Sequence, residues 1–287
     1  MPLTIAEQLK MACQQLGTSD SPKLDCEILL LKVLNEHSEK IHTKTWLLTW
    51  PETLLTPEQS QQFDAYLALR SQGMPIAYIT GNKDFWSFSL QVSPDTLIPR
   101  PETELLVECV LEKVAIDSHE SILDLGTGSG AIALAIASER PNVSVLATDF
   151  SQAALAMAKN NASMLGLNHV SFCRSHWFDD IPSKGFEFIV SNPPYIAQND
   201  PHLDANVKDY EPLSALIAEQ DGLADIALII AQCQPYLKSK GWLLFEHGFE
   251  QAPAVQQLLS DAGFDNIETL NDINRLARVT LAQNRET

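Results

Sequence analysis

The sequence predicts an α/β fold with a doubly wound, mostly parallel sheet, preceded by a small all-helical N-terminal domain. From Ser121 onward, short apolar runs rich in β-branched residues alternate with runs at helical spacing. This alternation is typical of parallel strands joined by crossover helices. Residues 1 to about 80 show helical periodicity alone. Because 287 residues exceed one domain of mean size, we expect two domains.

The N-terminal segment carries its apolar residues at helical spacing. In "LDCEILLLKVL", Leu24, Ile28, Leu31 and Leu34 lie nearly in register along one face. A second stretch, "PEQSQQFDAYLALRSQG", has a proline near its start and a glycine near its end, as helices commonly do. Residues 1–82 are therefore predicted to form a helical domain.

Residues 84–101, "DFWSFSLQVSPDTLIPRP", alternate apolar with polar side chains and contain three prolines. Such a pattern predicts a short hairpin that links two domains. We accordingly place the linker at residues 83–101 and the α/β domain at residues 102–287.

The α/β domain begins with a helical stretch, "ETELLVECVLEKV", and then alternates strands with helices. The predicted strands are followed in most cases by an amphipathic or apolar helix, which suits crossover connections. In order, the segments are "SILDLG", "AIALAIASE", "VSVLATD", "SQAALAMAKNNASMLG", "VSFCRS", "FEFIVSN", "DGLADIALIIAQCQPYL", "GWLLFEHG", "APAVQQLLSDAG", "NIETL" and "LARVTLA".

Composition and charge restrict the function classes. The net charge of −18 and the lack of a Lys/Arg cluster argue against direct nucleic-acid binding, which needs several basic groups on one face. No apolar stretch approaches the ~20 residues that span a bilayer, and the start does not resemble a signal peptide. Five scattered cysteines without a CxxC spacing indicate neither a disulfide framework nor a zinc site. We expect a cytoplasmic protein without a metal or a membrane partner.

The stretch "ILDLGTGSGAIALA" places Gly126, Gly128 and Gly130 between a strand and a helix. Glycines at such a turn let a ligand approach the backbone, and the helix presents free N–H groups. The next strand ends on Asp149, whose carboxylate can accept hydrogen bonds from both hydroxyls of a ribose. These features indicate an adenosine-bearing cofactor. Ala131 also completes a dinucleotide-type pattern, so an NAD-dependent oxidoreductase stays open at this point.

The fourth strand runs into "NPPY", and its carboxyl end should lie beside that of the first strand, at the ligand crevice. The side-chain oxygen of Asn192 and the carbonyl of Pro193 would face the N–H groups of a planar amide or amine. Pro194 restricts the backbone, and Tyr195 offers an aromatic face. Asn192, Pro193, Pro194 and Tyr195 are therefore the candidate catalytic and acceptor-binding residues.

Taken with "LDLGTGSG", Asp149 and "NPPY", the chain resembles the class I S-adenosylmethionine-dependent N-methyltransferases. The segments "GMPIAYITGNKDFW", "LQVSPDTLIPRPETE", "EPLSAL", "DGLADI" and "EHG" narrow the resemblance to the HemK/PrmC-type release factor N5-glutamine methyltransferases. This resemblance implies a seven-stranded sheet, S-adenosylmethionine as cofactor and S-adenosylhomocysteine as product. It also implies that the acceptor is the glutamine of the Gly-Gly-Gln motif in class 1 release factors.

The resemblance also implies roles for individual residues. Asp149 would hold the ribose, Trp177 would flank the adenine, and Asn192 to Tyr195 would hold the glutamine. The residues expected to contact the cofactor are Gly126, Thr127, Gly128, Ser129, Gly130, Asp149, Trp177 and Asn192. One departure concerns His176, where the family commonly has Asp; a neutral imidazole could accept from the adenine amino group, whereas a protonated one could not.

The segment "LIPRPETE" holds Arg100 between two prolines on a stiff, extended stretch, which suits a wall of the substrate cleft. We expect Arg100 to bind the acceptor. A helix start at Pro101, with Glu102 and Glu104 near the positive end of the dipole, explains the rest of this segment equally well.

Several alternatives remain from the sequence. Any planar amino group suits Asn-Pro-Pro-Tyr, so the motif is also compatible with a DNA-adenine or rRNA-guanine methyltransferase. The acidic net charge argues against such a nucleic-acid substrate. A ribosomal-protein glutamine methyltransferase shares the motif, and a binding-only role is also open. Hydrolase and nucleoside-triphosphatase motifs are absent from the sequence. The helical domain is expected to recognise the protein substrate.

Overall fold

The computed structural model describes residues 3–17, 19–200 and 205–286, and for residues 205 and 206 the backbone alone. The chain forms two compact units, Met1–Gly81 and Asn82–Thr287. The first is helical, and the second contains the central sheet.

The first unit consists of helices whose ends carry ordinary capping signals. In one of them, the Thr56 hydroxyl accepts from the N–H of Gln59, whose side chain returns a hydrogen bond to the backbone of Thr56, and Pro57 occupies the first turn. Gly73, at φ +98°, lies two residues beyond the end of that helix. The helices are α1 (Ile5–Gln15), α2 (Pro22–Glu36), α3 (Lys44–Thr49), α4 (Pro57–Ser71) and α5 (Ile76–Thr80).

The buried face of α2 differs from the face that the sequence indicated. Leu34 is buried as its spacing suggested, but Leu24 is 48% exposed. The helix packs against both α1 and α4, so its buried surface is broad and centred on Cys26, Leu29 and Val33. Leu24, in the first turn of α2, lies outside that surface because the buried face of α2 depends on its packing against two helices rather than one.

The second unit opens with a hairpin of β1 (Asn82–Phe85) and β2 (Phe88–Gln91). The hairpin belongs to this unit and ends ten residues before the predicted end of the linker at residue 101. Beyond it, the chain reaches a single 3₁₀ turn, Pro101–Thr103, which leads into α6 (Glu104–Lys113).

The central sheet has seven strands, which confirms the expected doubly wound fold. They are β3 (Ser121–Leu125), β4 (Ser144–Asp149), β5 (Ser171–Arg174), β6 (Phe186–Ser191), β9 (Leu237–Glu246), β10 (Asp265–Asn271) and β11 (Ala277–Gln283). Their order is β10-β11-β9-β6-β3-β4-β5. Neighbours run parallel except for β11, which is antiparallel to both of its neighbours. Two short strands, β7 (Ile196–Ala197) and β8 (Ile217–Ala218), pair separately.

Helices cover both faces of the sheet and bury a core on each. Because side chains alternate along a strand, Ile122 packs into one core and Leu123 into the other. Beyond α6, the helices of this unit are α7 (Ala131–Glu139), α8 (Gln152–Met164), α9 (Ala205–Tyr210), the irregular turn α10 (Glu219–Gly222), α11 (Ala224–Cys233) and α12 (Ala252–Asp261). Within the part of the chain that the structure describes, no helix is both long and apolar enough to cross a membrane.

Candidate active site

Most of the residues predicted for the site follow the carboxyl ends of four adjacent strands. In the order β6-β3-β4-β5, these ends lead to Asn192, Gly126, Asp149 and Trp177. The register places Leu125 opposite Ser191, so the glycine turn and the Asn-Pro-Pro-Tyr segment leave the sheet side by side. The sheet thus brings the expected cofactor and acceptor residues to one edge.

The glycine turn has a backbone that only glycine adopts readily. Gly126, Gly128 and Gly130 have φ of +73°, +56° and +91°. The N–H of Gly128 donates to Asp149 Oδ2 over 2.9 Å, and the N–H of Ser151 donates to Oδ1 over 2.8 Å. A carboxylate has about four acceptor positions, so Asp149 can accept further hydrogen bonds. A Cβ at Gly128 would meet no atom within 4 Å, which leaves open space above the turn for a ligand.

The other two residues of the turn direct their side chains inward. Thr127 donates through Oγ1 to Asp124 Oδ2 over 2.6 Å, and its N–H donates to the carbonyl of Thr148 over 2.8 Å. Ser129 is buried, and its carbonyl accepts from Asn161 Nδ2 over 2.9 Å. Contact of these two residues with a cofactor would therefore be through their backbone. Burial raises the pKa of Asp124 from 3.8 to about 7, and its Oδ1 has no partner among the described residues.

Burial also raises the pKa of Asp149, although the N–H groups of Gly128 and Ser151 oppose the shift. Donors from a bound ligand would oppose it further, because they stabilise the ionised form. A ribose offers two hydroxyl donors at the spacing of a carboxylate, so the position and chemistry of Asp149 fit the predicted role.

Trp177 lies against the glycine turn. Its Cζ3 is 3.6 Å from the place where a Cβ of Gly126 would lie, and its Nε1 donates to Asp225 Oδ1 over 3.2 Å. The ring can therefore form one wall beside the turn. The side chain of His176 is 53% exposed, and its Nδ1 lies 3.5 Å from Asp179 Oδ2. His176 neighbours the site, but its contact with a cofactor stays a prediction.

The segment from Asn192 to Tyr195 is held at both ends by hydrogen bonds. Asn192 Nδ2 donates to Thr103 Oγ1 over 3.2 Å, and the Tyr195 hydroxyl donates to Glu246 Oε1 over 3.1 Å. Between them Pro193 is buried. Burial and the neighbouring Glu246 carboxylate raise the pKa of Tyr195, so its hydroxyl stays protonated. The aromatic ring is thus fixed in place and uncharged.

A cavity of about 870 Å³ is lined by residues of this segment and by none of residues 126–130 of the glycine turn. Arg100, Asn192 and Tyr195 line it, so three of the predicted acceptor residues share one space. Arg100 Nη2 donates to Glu211 Oε1 over 2.5 Å, and Glu211 Oε2 accepts from the N–H of Ile98 over 3.0 Å. Other lining residues include Leu97, Ile196, Leu216, Phe249, Gln251 and Arg278.

Gly222 and Gln251 lie against the carbonyl of Tyr195, and neither was among the residues predicted from the sequence. A Cβ on Gly222, which has φ +83°, would lie 2.1 Å from the carbonyl oxygen of Tyr195. Gln251 Nε2 donates to the same carbonyl over 2.9 Å and to the carbonyl of Asp221 over 3.1 Å. Gly222 is thus required for the close approach of two backbone segments.

Thr103, Glu211 and Glu246 were also missed. A signal existed for Glu246, because it ends the apolar run "GWLLFE" just as Asp149 ends "VSVLATD". An acidic residue at the carboxyl end of a parallel strand is a candidate site residue. For Thr103 and Glu211 no sequence signal existed, since their partners lie 89 and 111 residues away.

Comparisons with known proteins agree with this architecture. A family model described as "Methyltransferase small domain" matches residues 101–208. The structure of a methyltransferase from Pyrococcus furiosus, 14% identical, shares the fold with a TM-score of 0.54 and covers 77% of this chain and 98% of that one. The fold and the site thus define a methyltransferase of the class I type.

The particular family follows from closer relatives. A model described as "PrmC N-terminal domain" matches residues 7–81. The release factor glutamine methyltransferase of Aliivibrio fischeri is 46% identical over 99% of this chain and 98% of its own length. That of Escherichia coli is 46% identical over 96% and 97%. The chain belongs to the release factor glutamine methyltransferase family.

Proposed function

We propose that this enzyme transfers a methyl group from S-adenosylmethionine to the side-chain amide nitrogen of the glutamine in the Gly-Gly-Gln motif of class 1 release factors. One observation carries the proposal: Asn192 follows the strand that ends beside the glycine turn, and it also lines the 870 Å³ cavity. An acceptor in the cavity would reach the cofactor side at this residue.

The residues of the cofactor side fit S-adenosylmethionine. Asp149 would accept from the ribose hydroxyls, Trp177 would flank the adenine, and the turn from Gly126 to Gly130 would lie along the methionine part. When bound, S-adenosylmethionine supplies an electrophilic methyl group on a sulfonium. The open space above Gly128 allows the close backbone approach that such a ligand needs.

An amide nitrogen is a weak nucleophile, and the acceptor residues would compensate for this by orienting it. Asn192 Oδ1 and the Pro193 carbonyl would accept from the two N–H groups of the glutamine and hold its nitrogen toward the cofactor side. Tyr195 would pack against the planar amide. Orientation of this kind contributes about 7–11 kcal/mol in well-aligned systems. No basic side chain is needed here, because an N-methylated amide cation loses its proton readily to water.

The test is methyl transfer from labelled S-adenosylmethionine to purified release factor, beside a copy whose Gly-Gly-Gln glutamine is alanine. Ribosomal protein and rRNA serve as further acceptors. Label on the intact release factor alone is the expected result. Label on the alanine copy, or on ribosomal protein or rRNA instead, would contradict the proposal. Asn192→Ala should lower the rate of transfer far more than it weakens S-adenosylmethionine binding, measured by calorimetry, because Asn192 is expected to contact both the acceptor and the cofactor.

We further propose that residues 1–82 form the domain that recognises the protein substrate and that residues 102–287 form the domain that catalyses methyl transfer. Residues 83–101 would link these two domains. The helical unit exposes large apolar side chains, with Ile41 at 87%, Leu48 at 67% and Trp50 at 58% exposure. Exposed apolar groups of this size often mark interaction surfaces. The full-length Trp50→Ser variant should raise the KM for release factor and leave S-adenosylmethionine affinity unchanged; an unchanged KM for this variant and for Leu48→Ser would count against the assignment.

A further inference from the structure

The side chain of Gln251 connects three segments that line the 870 Å³ cavity. Its Nε2 donates to the carbonyl of Tyr195 over 2.9 Å and to the carbonyl of Asp221 over 3.1 Å. Its Oε1 accepts from the N–H of Gly248 over 2.8 Å. Gln251 and its three partners all line the cavity. One amide group therefore joins the segment after β6, the turn α10 and the segment after β9.

The partners of Gln251 fix the orientation of its amide group. Two carbonyl oxygens face Nε2 and one N–H faces Oε1, so each polar atom of the amide meets a group of the opposite type. The flipped amide would place its oxygen against both carbonyls and its N–H₂ group against an N–H. An amide suits this position because it combines two donors and an acceptor in one plane.

The turn that receives one of these hydrogen bonds has a strained backbone. The consecutive residues Gln220, Asp221 and Gly222 have φ of +54°, +55° and +83°. A left-handed φ costs a non-glycine residue about 1–2 kcal/mol, and such residues persist only where their surroundings hold them. The hydrogen bond from Gln251 to Asp221 holds the turn in this way, and Gly222 brings it close to the carbonyl of Tyr195. Strained residues of this kind are concentrated at catalytic and binding sites.

We propose that Gln251 is a positioning residue that holds the backbone of Tyr195 and the left-handed turn so that the acceptor amide is oriented for methyl transfer. This inference rests on the proposed function, in which Tyr195 packs against the glutamine of the substrate. The hydrogen bond to the Tyr195 carbonyl fixes the backbone from which the aromatic ring extends. Because Tyr195 and Asp221 both line the cavity, the role concerns the methyl acceptor rather than the cofactor.

The discriminating variant is Gln251→Glu, which keeps the length and shape of the side chain. A carboxylate can still accept from the N–H of Gly248, but it has no N–H to donate to the carbonyls of Tyr195 and Asp221. We expect kcat for release factor to fall about 10- to 100-fold, because displacement of reacting groups by about 1 Å has an effect of this order. The KM for release factor should change less than kcat, and the Kd for S-adenosylmethionine should stay at the wild-type value.

Gln234→Glu is the matched control for the loss of an amide donor. Gln234, directly after α11, donates through Nε2 to the carbonyl of Ala262 over 2.8 Å. It also joins two elements, but neither Gln234 nor Ala262 lines the cavity. This variant should keep the kcat of the wild-type enzyme. Urea denaturation of both variants separates a loss of stability from a loss of rate.

A double variant tests whether Gln251 acts through the carbonyl of Tyr195. A Cβ at Gly222 would lie 2.1 Å from this carbonyl oxygen, so Gly222→Ala should displace the same group. Gln251→Glu/Gly222→Ala should therefore lose less in kcat than the product of the two single losses. Gln234→Glu/Gly222→Ala should instead show the product of its single losses.

All variants are assayed beside the wild-type enzyme with release factor as acceptor. If the wild-type enzyme does not label release factor, the proposed function fails and this inference falls with it. If it does, a wild-type kcat in folded Gln251→Glu, or a fully multiplicative loss in its double variant, refutes the positioning role. Should Gln251→Glu fail to fold, Gln251→Met, which removes the amide at nearly the same length, takes its place. Failure of both to fold would also refute the role, because Gln251 would then support the fold as a whole.

Discussion

Gly222→Ala tests whether the left-handed turn that contacts the acceptor segment positions the proposed catalytic residues. The new Cβ would lie 2.1 Å from the carbonyl oxygen of Tyr195 and 2.7 Å from Gln251 Nε2. Since ordinary contacts begin at 3.4 Å, the Tyr195 backbone would have to move by about 1.3 Å. A displacement of about 1 Å costs on the order of 100-fold in rate when it misaligns reacting groups.

The same substitution also lowers the free energy of unfolding, partly through the backbone conformation and partly through the close contact. A left-handed φ costs an alanine about 1–2 kcal/mol, and overpacking adds about 1–3 kcal/mol. We therefore expect Gly222→Ala to lose about 2–5 kcal/mol of unfolding free energy and about 100-fold in kcat, with S-adenosylmethionine affinity unchanged.

Gly166→Ala is the matched control for the backbone cost. Gly166 has φ +72°, and a Cβ there would meet no atom within 4 Å. It should lose about 1–2 kcal/mol of stability and retain its kcat. Urea denaturation and labelled methyl transfer are measured on both variants. If Gly222→Ala keeps its kcat at wild-type level while folded, the argument that this turn positions Tyr195 is wrong.

Three further predictions concern the cofactor and acceptor sides. Burial raises the pKa of Asp124 from 3.8 to about 7, so the folded state retains a proton that the unfolded state releases, and stability should fall as pH rises from about 4 to 7. Asp124→Asn should reduce the change in unfolding free energy between pH 4 and pH 7 by on the order of 4 kcal/mol. The measurement is urea denaturation of both proteins across this pH range. If the two proteins show the same dependence of unfolding free energy on pH, the idea is wrong. Trp177→Ala should weaken S-adenosylmethionine binding by about 1–2 kcal/mol in calorimetry, while Trp177→Phe should keep most of it; equal losses would argue against an aromatic wall. Arg100→Ala leaves Glu211 buried and unpaired and should cost about 3–5 kcal/mol of stability, which Arg100→Ala/Glu211→Gln should partly restore; no restoration would show that the pair is not the cause.

The sequence by itself determined the kind of elements and the position of the candidate site along the chain. The glycine turn and Asp149 were recognisable because each depends on a local requirement, a positive φ or an acid at the end of a strand. Asn192 was recognisable because it is a polar residue that directly follows an apolar strand and directly precedes two prolines. Each of these signals is contained within a few residues, so the local sequence is enough to identify it.

The tertiary structure decided which side chains hold that site. The partners of Arg100 and Asn192 are Glu211 and Thr103, 111 and 89 residues away. Glu246 reaches Tyr195 because β9 lies beside β6, and the exposure of Leu24 reflects the packing of α2 against two helices. Such contacts depend on strand order and helix packing, which arise from the simultaneous burial of many apolar side chains and leave no signature within one segment.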